Sequence, residues 1–213
     1  MYLPEHFTPS DPADLRRLIV EHPFATIVVD GPRGLDANHL PFELDASAGQ
    51  HGRLIAHVAR ANPLWQEVSE DQEVLVIFRG PHAYVSPNWY PSKHEEHRQV
   101  PTWNYQVVHV HGRIHVRDDE RFVRGVVARL TRTHESRTTS ERPWKMTDSA
   151  AEYIDAMLKA IVGLEIEITR IVGKWKLSQN KEARDRANAA AELRARGEDA
   201  LAQAMLTALE SDK

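Results

Sequence analysis

Apolar and polar residues change their spacing several times along the chain, and each change predicts an element. Asp11, Pro12 and Asp14 read as a helix start, with Pro12 at the first helical position. Leu15, Leu18 and Ile19 then recur at helical spacing until His22-Pro23 ends the run. From Phe24 the apolar residues become β-branched. A strand over 24–29, a turn through Gly31, Pro32, Arg33 and Gly34, and a return over 35–44 predict a hairpin. Three more strands are predicted over 53–58, 73–79 and 83–86, the last two separated by Gly80-Pro81. The longest strand is predicted over 102–117. There Val108, Val110, Ile114 and Val116 alternate with His109, His111, Arg113 and His115, giving one apolar and one basic face.

Helical spacing returns in the second half. Asp118-Asp119 predicts a cap for a helix to about Thr133, and Asp148 a cap for another carrying Tyr153, Ile154, Met157, Leu158 and Ile161. A late strand follows, with Leu164, Ile166 and Ile168 alternating against Glu165, Glu167 and Thr169. Residues 183–209 are rich in Ala, Glu, Arg and Leu and predict helix, interrupted at Gly197. The pattern predicts an α+β, mainly β architecture: many short antiparallel strands arranged as a barrel, with helices between strands and at the ends.

Composition narrows the function classes. The 213 residues contain no cysteine, so disulfides, thiol nucleophiles and Cys-based metal or iron–sulfur sites are excluded, and a metal would need His and carboxylates. No leader-like opening and no long apolar run predict a soluble, cytoplasmic chain without a membrane partner. With 27 Lys and Arg against 31 Asp and Glu the net charge is −4, which argues against a broad nucleic-acid-coating surface. One stretch is locally basic: Arg121, Arg124, Arg129, Arg132, Arg137, Arg142 and Lys145 stand against Glu135 and Glu141, a pattern that can contact phosphates or form a solvated helix face.

Several segments could carry chemistry. Residues 57–65 leave a strand and enter a helix, with Asn62 as cap and Pro63 at the first helical position. A helix start beside Arg60 suits a phosphate; the plainer reading is a capped turn and a surface ion pair. Residues 173–180, with Lys174, Lys176, Ser178, Gln179 and Asn180, are a second anion-friendly turn that a simple helix start would also explain. Tyr84, Trp89, Tyr90, Trp103 and Tyr105 can wall a flat cofactor, or pin a loop. His94 with His97, and His109 with His111, could chelate a metal, but no carboxylate alternates with the strand pair and no metal site is assigned. His57 is set apart as a hydrogen-bond donor to a cofactor or an axial haem ligand, against the reading of a buried core histidine. No nucleophile elbow, dinucleotide loop, P-loop or His-Glu-x-x-His occurs.

Taken together, the opening residues 1–7, segment 57–65, residues 80–90, residues 100–105 with His109 and Gly112, and residues 173–180 resemble the PaiB family of FMN-binding negative transcriptional regulators. The resemblance runs to Asn180. It implies a split β-barrel over 1–180, a homodimer with FMN at the subunit interface, and a helical extension over 181–213 packed on that domain or its partner. It implies a phosphate near Ala59, Arg60 and Asn62, an isoalloxazine flanked by Asn38, His39 and Leu40 and near His57, and closure by Trp103, Lys176, Ser178, Gln179 and Asn180. The implied role is that of a repressor acting on promoter DNA, with a small-molecule effector or substrate. A related branch, the piperazate synthases, is haem-dependent, with His57 as the ligand to test. The chain keeps the regulator-like segments 86–90 and 93–98, which places that branch second. No catalytic residue is assigned. Were it an FMN oxidoreductase or a haem-dependent synthase, His57, Tyr84 and Tyr105 would be the candidate proton donors.

Overall fold

The computed structural model describes residues 1–9, 11–138 and 141–211. The strands are β1 (Phe24–Gly31), β2 (Gly34–Pro41), β3 (Glu43–Asp45), β4 (Arg53–Ala59), β5 (Gln72–Val85), β6 (Thr102–Arg117) and β7 (Ile161–Lys176). The helices are α1 (Pro12–Glu21), α2 (Leu64–Glu67), α3 (Pro91–Glu96), α4 (Glu120–Glu135), α5 (Ala151–Lys159), α6 (Ala183–Arg194) and α7 (Asp199–Ser211). The strands form one sheet in the order β2-β1-β5-β6-β7-β4-β3, which leaves β2 and β3 as unjoined edges. The β1–β2, β1–β5, β3–β4 and β4–β7 pairs are all antiparallel.

Contacts divide the chain into two compact units. One holds Met1–Leu18, Arg79–Val108 and Val172–Lys213; the other holds Ile19–Phe78 and His109–Ile171. The strands β5, β6 and β7 each contribute to both.

In the second unit the β1–β2 hairpin closes where Gly31 pairs with Gly34, whose φ of +94° only glycine adopts without strain. Its tip is fastened by Arg33, which donates to Glu67 Oε1 at 2.6 Å, and by Gln72, which donates to the Asp30 carbonyl at 2.7 Å. The alternation in β1 buries Ala25, Ile27 and Val29, as the sequence pattern predicts. The cap of α4 is Asp119, which accepts the Phe122 N–H at 2.8 Å. That helix lays Phe122, Val126 and Leu130 against Ile55 of β4. Gly163 of β7 is required by close approach: a Cβ there would stand 2.6 Å from the Phe122 ring.

In the first unit α6 and α7 bury Ala189, Ala190, Leu193, Leu201, Ala202 and Met205 together with Val85, Tyr90 and Leu177. The helical extension thus packs on the chain's own residues 83–90 and 177, and Gly197, at φ +82°, makes its corner.

Four local expectations need correction. The two strands expected over 73–79 and 83–86 are one, β5. Pro81 lies beyond Ile77, the last β5 residue in register with β1, so its missing N–H interrupts no ladder on that side. The close approach of Leu18 Cδ1, 3.0 Å from an added Cβ, accounts for Gly80 without a turn. The late strand, expected over 164–169, runs from Ile161 to Lys176, so Ile161 leaves the preceding helix and Lys174 and Lys176 lie on a strand. Asp148 does not cap α5; its carboxylate accepts the Lys145 N–H at 3.0 Å in a short 3-10 turn, and α5 starts after Ala150 with no side-chain cap. The helix after Asn62 forms but begins at Leu64, so Pro63 stands one place before its first residue, and it runs for four residues.

Candidate functional site

The exit of β4 gathers the polar groups of the second unit. Backbone pairing places His57 opposite Gly163 and Ala59 opposite Ile161, after which the chain leaves the sheet. Asn62 holds the corner with both ends of its amide: its Oδ1 accepts the Leu64 N–H at 2.9 Å and its Nδ2 donates to Asn38 Oδ1 at 2.7 Å. This joins the corner to β2 across 24 residues of sequence. On β2, His39 is exposed and its Nδ1 lies 3.0 Å from Thr26 Oγ1, while Leu40 is half-buried. Asn38, His39, Leu40 and Asn62 thus line one edge of the sheet and the turn beside it.

His57 is half-buried, and its Nδ1 is shielded from solvent without a hydrogen-bond partner. Burial pushes its pKa below the ordinary 6.5, so the imidazole is neutral near pH 7. A buried polar atom with no partner is costly in a finished core, and it marks a place where a ligand or water would complete the bonding.

Arg60 is already engaged. Its Nε donates to the Lys159 carbonyl at 2.7 Å, Nη1 and Nη2 clasp the Asp118 carboxylate, and Nη2 also reaches the Ile161 carbonyl at 3.2 Å. The hydrogen bond to Asp118 raises Arg60 above its ordinary value and holds the Asp118 carboxyl below its own. Both side chains are about two-fifths exposed, at 40% and 44%. An exposed pair of this kind contributes little and is readily exchanged for a phosphate.

In the first unit the predicted residues behave differently. Trp103 is 54% exposed, with His82 stacked on it at 6.2 Å and Tyr84 edge-on at 6.4 Å. Lys176 donates to the Trp103 carbonyl at 2.8 Å and to Thr102 Oγ1, and burial pushes its pKa down. Ser178 is buried; its Oγ accepts from Asn104 Nδ2 at 2.9 Å and lies 3.2 Å from the Tyr90 hydroxyl. The Gln179 amide is spent on its own turn, accepting the Leu177 N–H at 2.7 Å and donating to the Trp175 carbonyl at 2.6 Å. Asn180 is exposed.

The basic stretch is not one continuous cationic face. Arg124 pairs with Glu120 and Asp155, and Arg137 donates to the Val20 carbonyl. Arg121 and Arg129 line a cleft beside β4. Of the histidine pairs, His97 ends α3 in the left-handed region at φ +56°. Sequence reading finds no carboxylate for the strand histidines because the carboxylates come from around the start of β5: Glu73 lies 3.8 Å from His111, and Glu70 lies 2.8 Å from His115 with Asp71 at 3.6 Å. Glu70, Asp71 and His115 form the one metal-compatible trio among the described residues. Only strand register brings them together.

A family model described as "Putative FMN-binding domain" matches residues 1–170. The chain belongs to that family. It is 30% identical to the "Protease synthase and sporulation protein PAI 2" of Bacillus subtilis, over 88% of this chain and 86% of that protein. Among solved structures, the fold is similar to the FAD and haem binding protein from Mycobacterium smegmatis, with a TM-score of 0.52, 15% identity, and coverage of 79% of this chain and 73% of that one. It is also similar to the flavocytochrome Anf3 from Azotobacter vinelandii, with a TM-score of 0.51, 14% identity, and coverage of 79% and 69%. The fold is a split barrel, and the family is one described as FMN-binding. The residues of the second unit fit FMN by donor chemistry: a shielded imidazole nitrogen without a partner, a fixed amide corner and an exchangeable arginine stand on one strand and its exit. Among the described residues no helix is long and apolar enough to cross a membrane.

Proposed function

We propose that the protein binds FMN against β2 and the exit of β4 and acts as a flavin-binding repressor, a cytoplasmic homodimer in which the flavin lies at the subunit interface. The observation that carries the site is the shielded Nδ1 of His57, which lacks a partner in a structure whose neighbouring polar groups have theirs. In this reading Asn38, His39 and Leu40 flank the ring system, Asn62 keeps β2 and the corner in register, and Arg60 turns from Asp118 to the phosphate. The resemblance also gives a share of the cofactor to Trp103, Lys176, Ser178, Gln179 and Asn180 of the first unit. The regulatory role rests on kinship with a relative named for protease synthesis and sporulation.

FMN supplies one- and two-electron redox chemistry at its isoalloxazine. The chain's part is to shield and orient: a neutral His57 can give or take one hydrogen bond without placing a charge beside the ring. The same imidazole favours a second reading, a flavin- or haem-dependent enzyme in which His57 would hold the haem iron, since a neutral, unpartnered ring nitrogen is what ligation needs.

The visible absorption spectrum of protein purified without added cofactor, repeated after incubation with FMN or haemin and removal of the excess, separates these. A retained flavin spectrum supports the FMN reading. A stoichiometric Soret band that disappears in His57→Ala supports haem, and retention of neither overturns the cofactor site. Salt-sensitive, sequence-specific retention of promoter DNA tests the repressor role.

A further inference from the structure

Beside β4, on the side covered by α4, the second unit holds a cleft of about 340 Å³ that the flavin reading does not use. Four arginines line it, Arg53, Arg117, Arg121 and Arg129, against two carboxylates, Asp119 and Glu165. They divide into two kinds. Arg53 and Arg117 are tied down: the nearly buried carboxylate of Glu165 accepts Arg53 Nη1 at 2.7 Å and Arg117 Nη2 at 2.9 Å, and Asp45 accepts Arg53 Nη2 at 3.0 Å. Arg129 has only a loose approach to Asp45, at 3.7 Å, and Arg121 has no hydrogen-bond or ion-pair partner among the described residues. The cleft therefore carries excess positive charge with two guanidinium groups available.

The rest of the lining is apolar. Ile55, Val126 and the Phe122 ring form a wall, and Gly125, on the exposed side of α4, leaves space in which an added Cβ would meet nothing within 4 Å. A glycine in a helix interior costs about 1 kcal/mol relative to alanine. Here no close approach requires it, and its effect is to keep the cleft open.

We propose that this cleft binds a small phosphate monoester with an apolar body, Arg121 and Arg129 holding the dianion and the Phe122 wall holding the body. Bidentate arginines match phosphate oxygens, and the volume lies near the lower end, about 300 Å³, of small-molecule sites. The proposal does not depend on flavin binding. It also assigns two arginines of the basic stretch to a small ligand in place of DNA.

The test is titration calorimetry of the full chain with phenyl phosphate, with phenol and inorganic phosphate as half-ligands, while flavin content is followed by absorbance. Phenyl phosphate should bind one to one, each half-ligand at least about tenfold more weakly, in keeping with anion and apolar contacts acting together. The double variant Arg121→Gln/Arg129→Gln should weaken binding at least about tenfold. Gly125→Leu fills the cleft and should abolish binding, with a thermal midpoint at or above that of the parent, which shows that it folds. Flavin retention should be unchanged in both variants. No binding of phenyl phosphate to the parent, or equal binding to Gly125→Leu, overturns the proposal. Parallel loss of FMN and phenyl phosphate in Gly125→Leu would make the cleft the flavin's own phosphate site. Displacement of phenyl phosphate by a labelled DNA duplex, with both weakened in the arginine double variant, would return the arginines to nucleic acid. Either result also overturns it.

Discussion

The exit of β4 and the segment around residues 173–180 look alike in sequence and differ in bonding. Each mixes basic side chains with amides, and the resemblance gave each a share of the cofactor. In the segment of the first unit, the hydroxyl of Ser178 and the amide of Gln179 are both consumed by neighbours. Nearby, buried Asp185 accepts the Ser92 N–H at 3.0 Å and the Ser92 hydroxyl at 2.6 Å. Ser92 accepts in turn from Gln99, and Gln99 from Lys181. At the β4 exit one buried atom is unpartnered and one ion pair is exposed. A satisfied buried network fixes a structure, whereas unsatisfied and exchangeable groups leave bonding for a ligand.

The largest expected effect breaks the network of the first unit. Asp185→Ala strands the Ser92 N–H and hydroxyl in a buried place and should cost about 3 kcal/mol of stability, read as a lower urea midpoint. Asp185, Ser92, Gln99 and Lys181 are not among the residues assigned to the cofactor, so the protein that remains folded should retain FMN as the parent does. A lower flavin content per folded molecule would show that the network of the first unit also serves the cofactor.

A smaller effect is expected at the exchangeable pair. Arg60→Ala should weaken FMN about tenfold and leave riboflavin unchanged, since only FMN carries the phosphate that a guanidinium grips. Asp118→Asn should strengthen FMN, because it frees Arg60 of its competing carboxylate. Equal losses for both flavins in Arg60→Ala would remove Arg60 from the phosphate site.

The same contrast explains what could be read in the chain beforehand. Period-two burial in β1 and β6, the caps Asp11 and Asp119 and the corner at Gly197 were legible because local spacing determines them. Pro81 misled because its effect depends on whether β1 still pairs beside it, which is a tertiary fact. For the site, residue type pointed to His57, Asn62 and Arg60, but bonding state was invisible. Nothing local says that Arg60 meets Asp118, 58 residues on, or that Asn62 meets Asn38. The cleft arginines were legible only as charge, since their sorting into tied and free depends on Glu165, which lies opposite Ile55 across β4 and β7.

The smallest effect sharpens the reading of His57 itself. Burial lowers its pKa from 6.5, so above that value the imidazole is neutral in both folded and unfolded chains and its contribution to stability is fully present. As pH falls below 6.5 the unfolded chain takes up the proton first. Stability then declines until the folded pKa is passed, where nothing of the contribution remains. His57→Phe should therefore flatten the decline in unfolding free energy below pH 6.5 in a series of urea melts. The slope should not vanish, because burial also lowers His109 and His111. Added riboflavin, which carries no phosphate to titrate in this range, should alter the slope of the parent and leave that of His57→Phe unaltered, since only the parent has an imidazole for the flavin to shield. An identical slope in parent and variant would mean that His57 titrates as an open side chain, and the unpartnered nitrogen would then be no guide to the ligand.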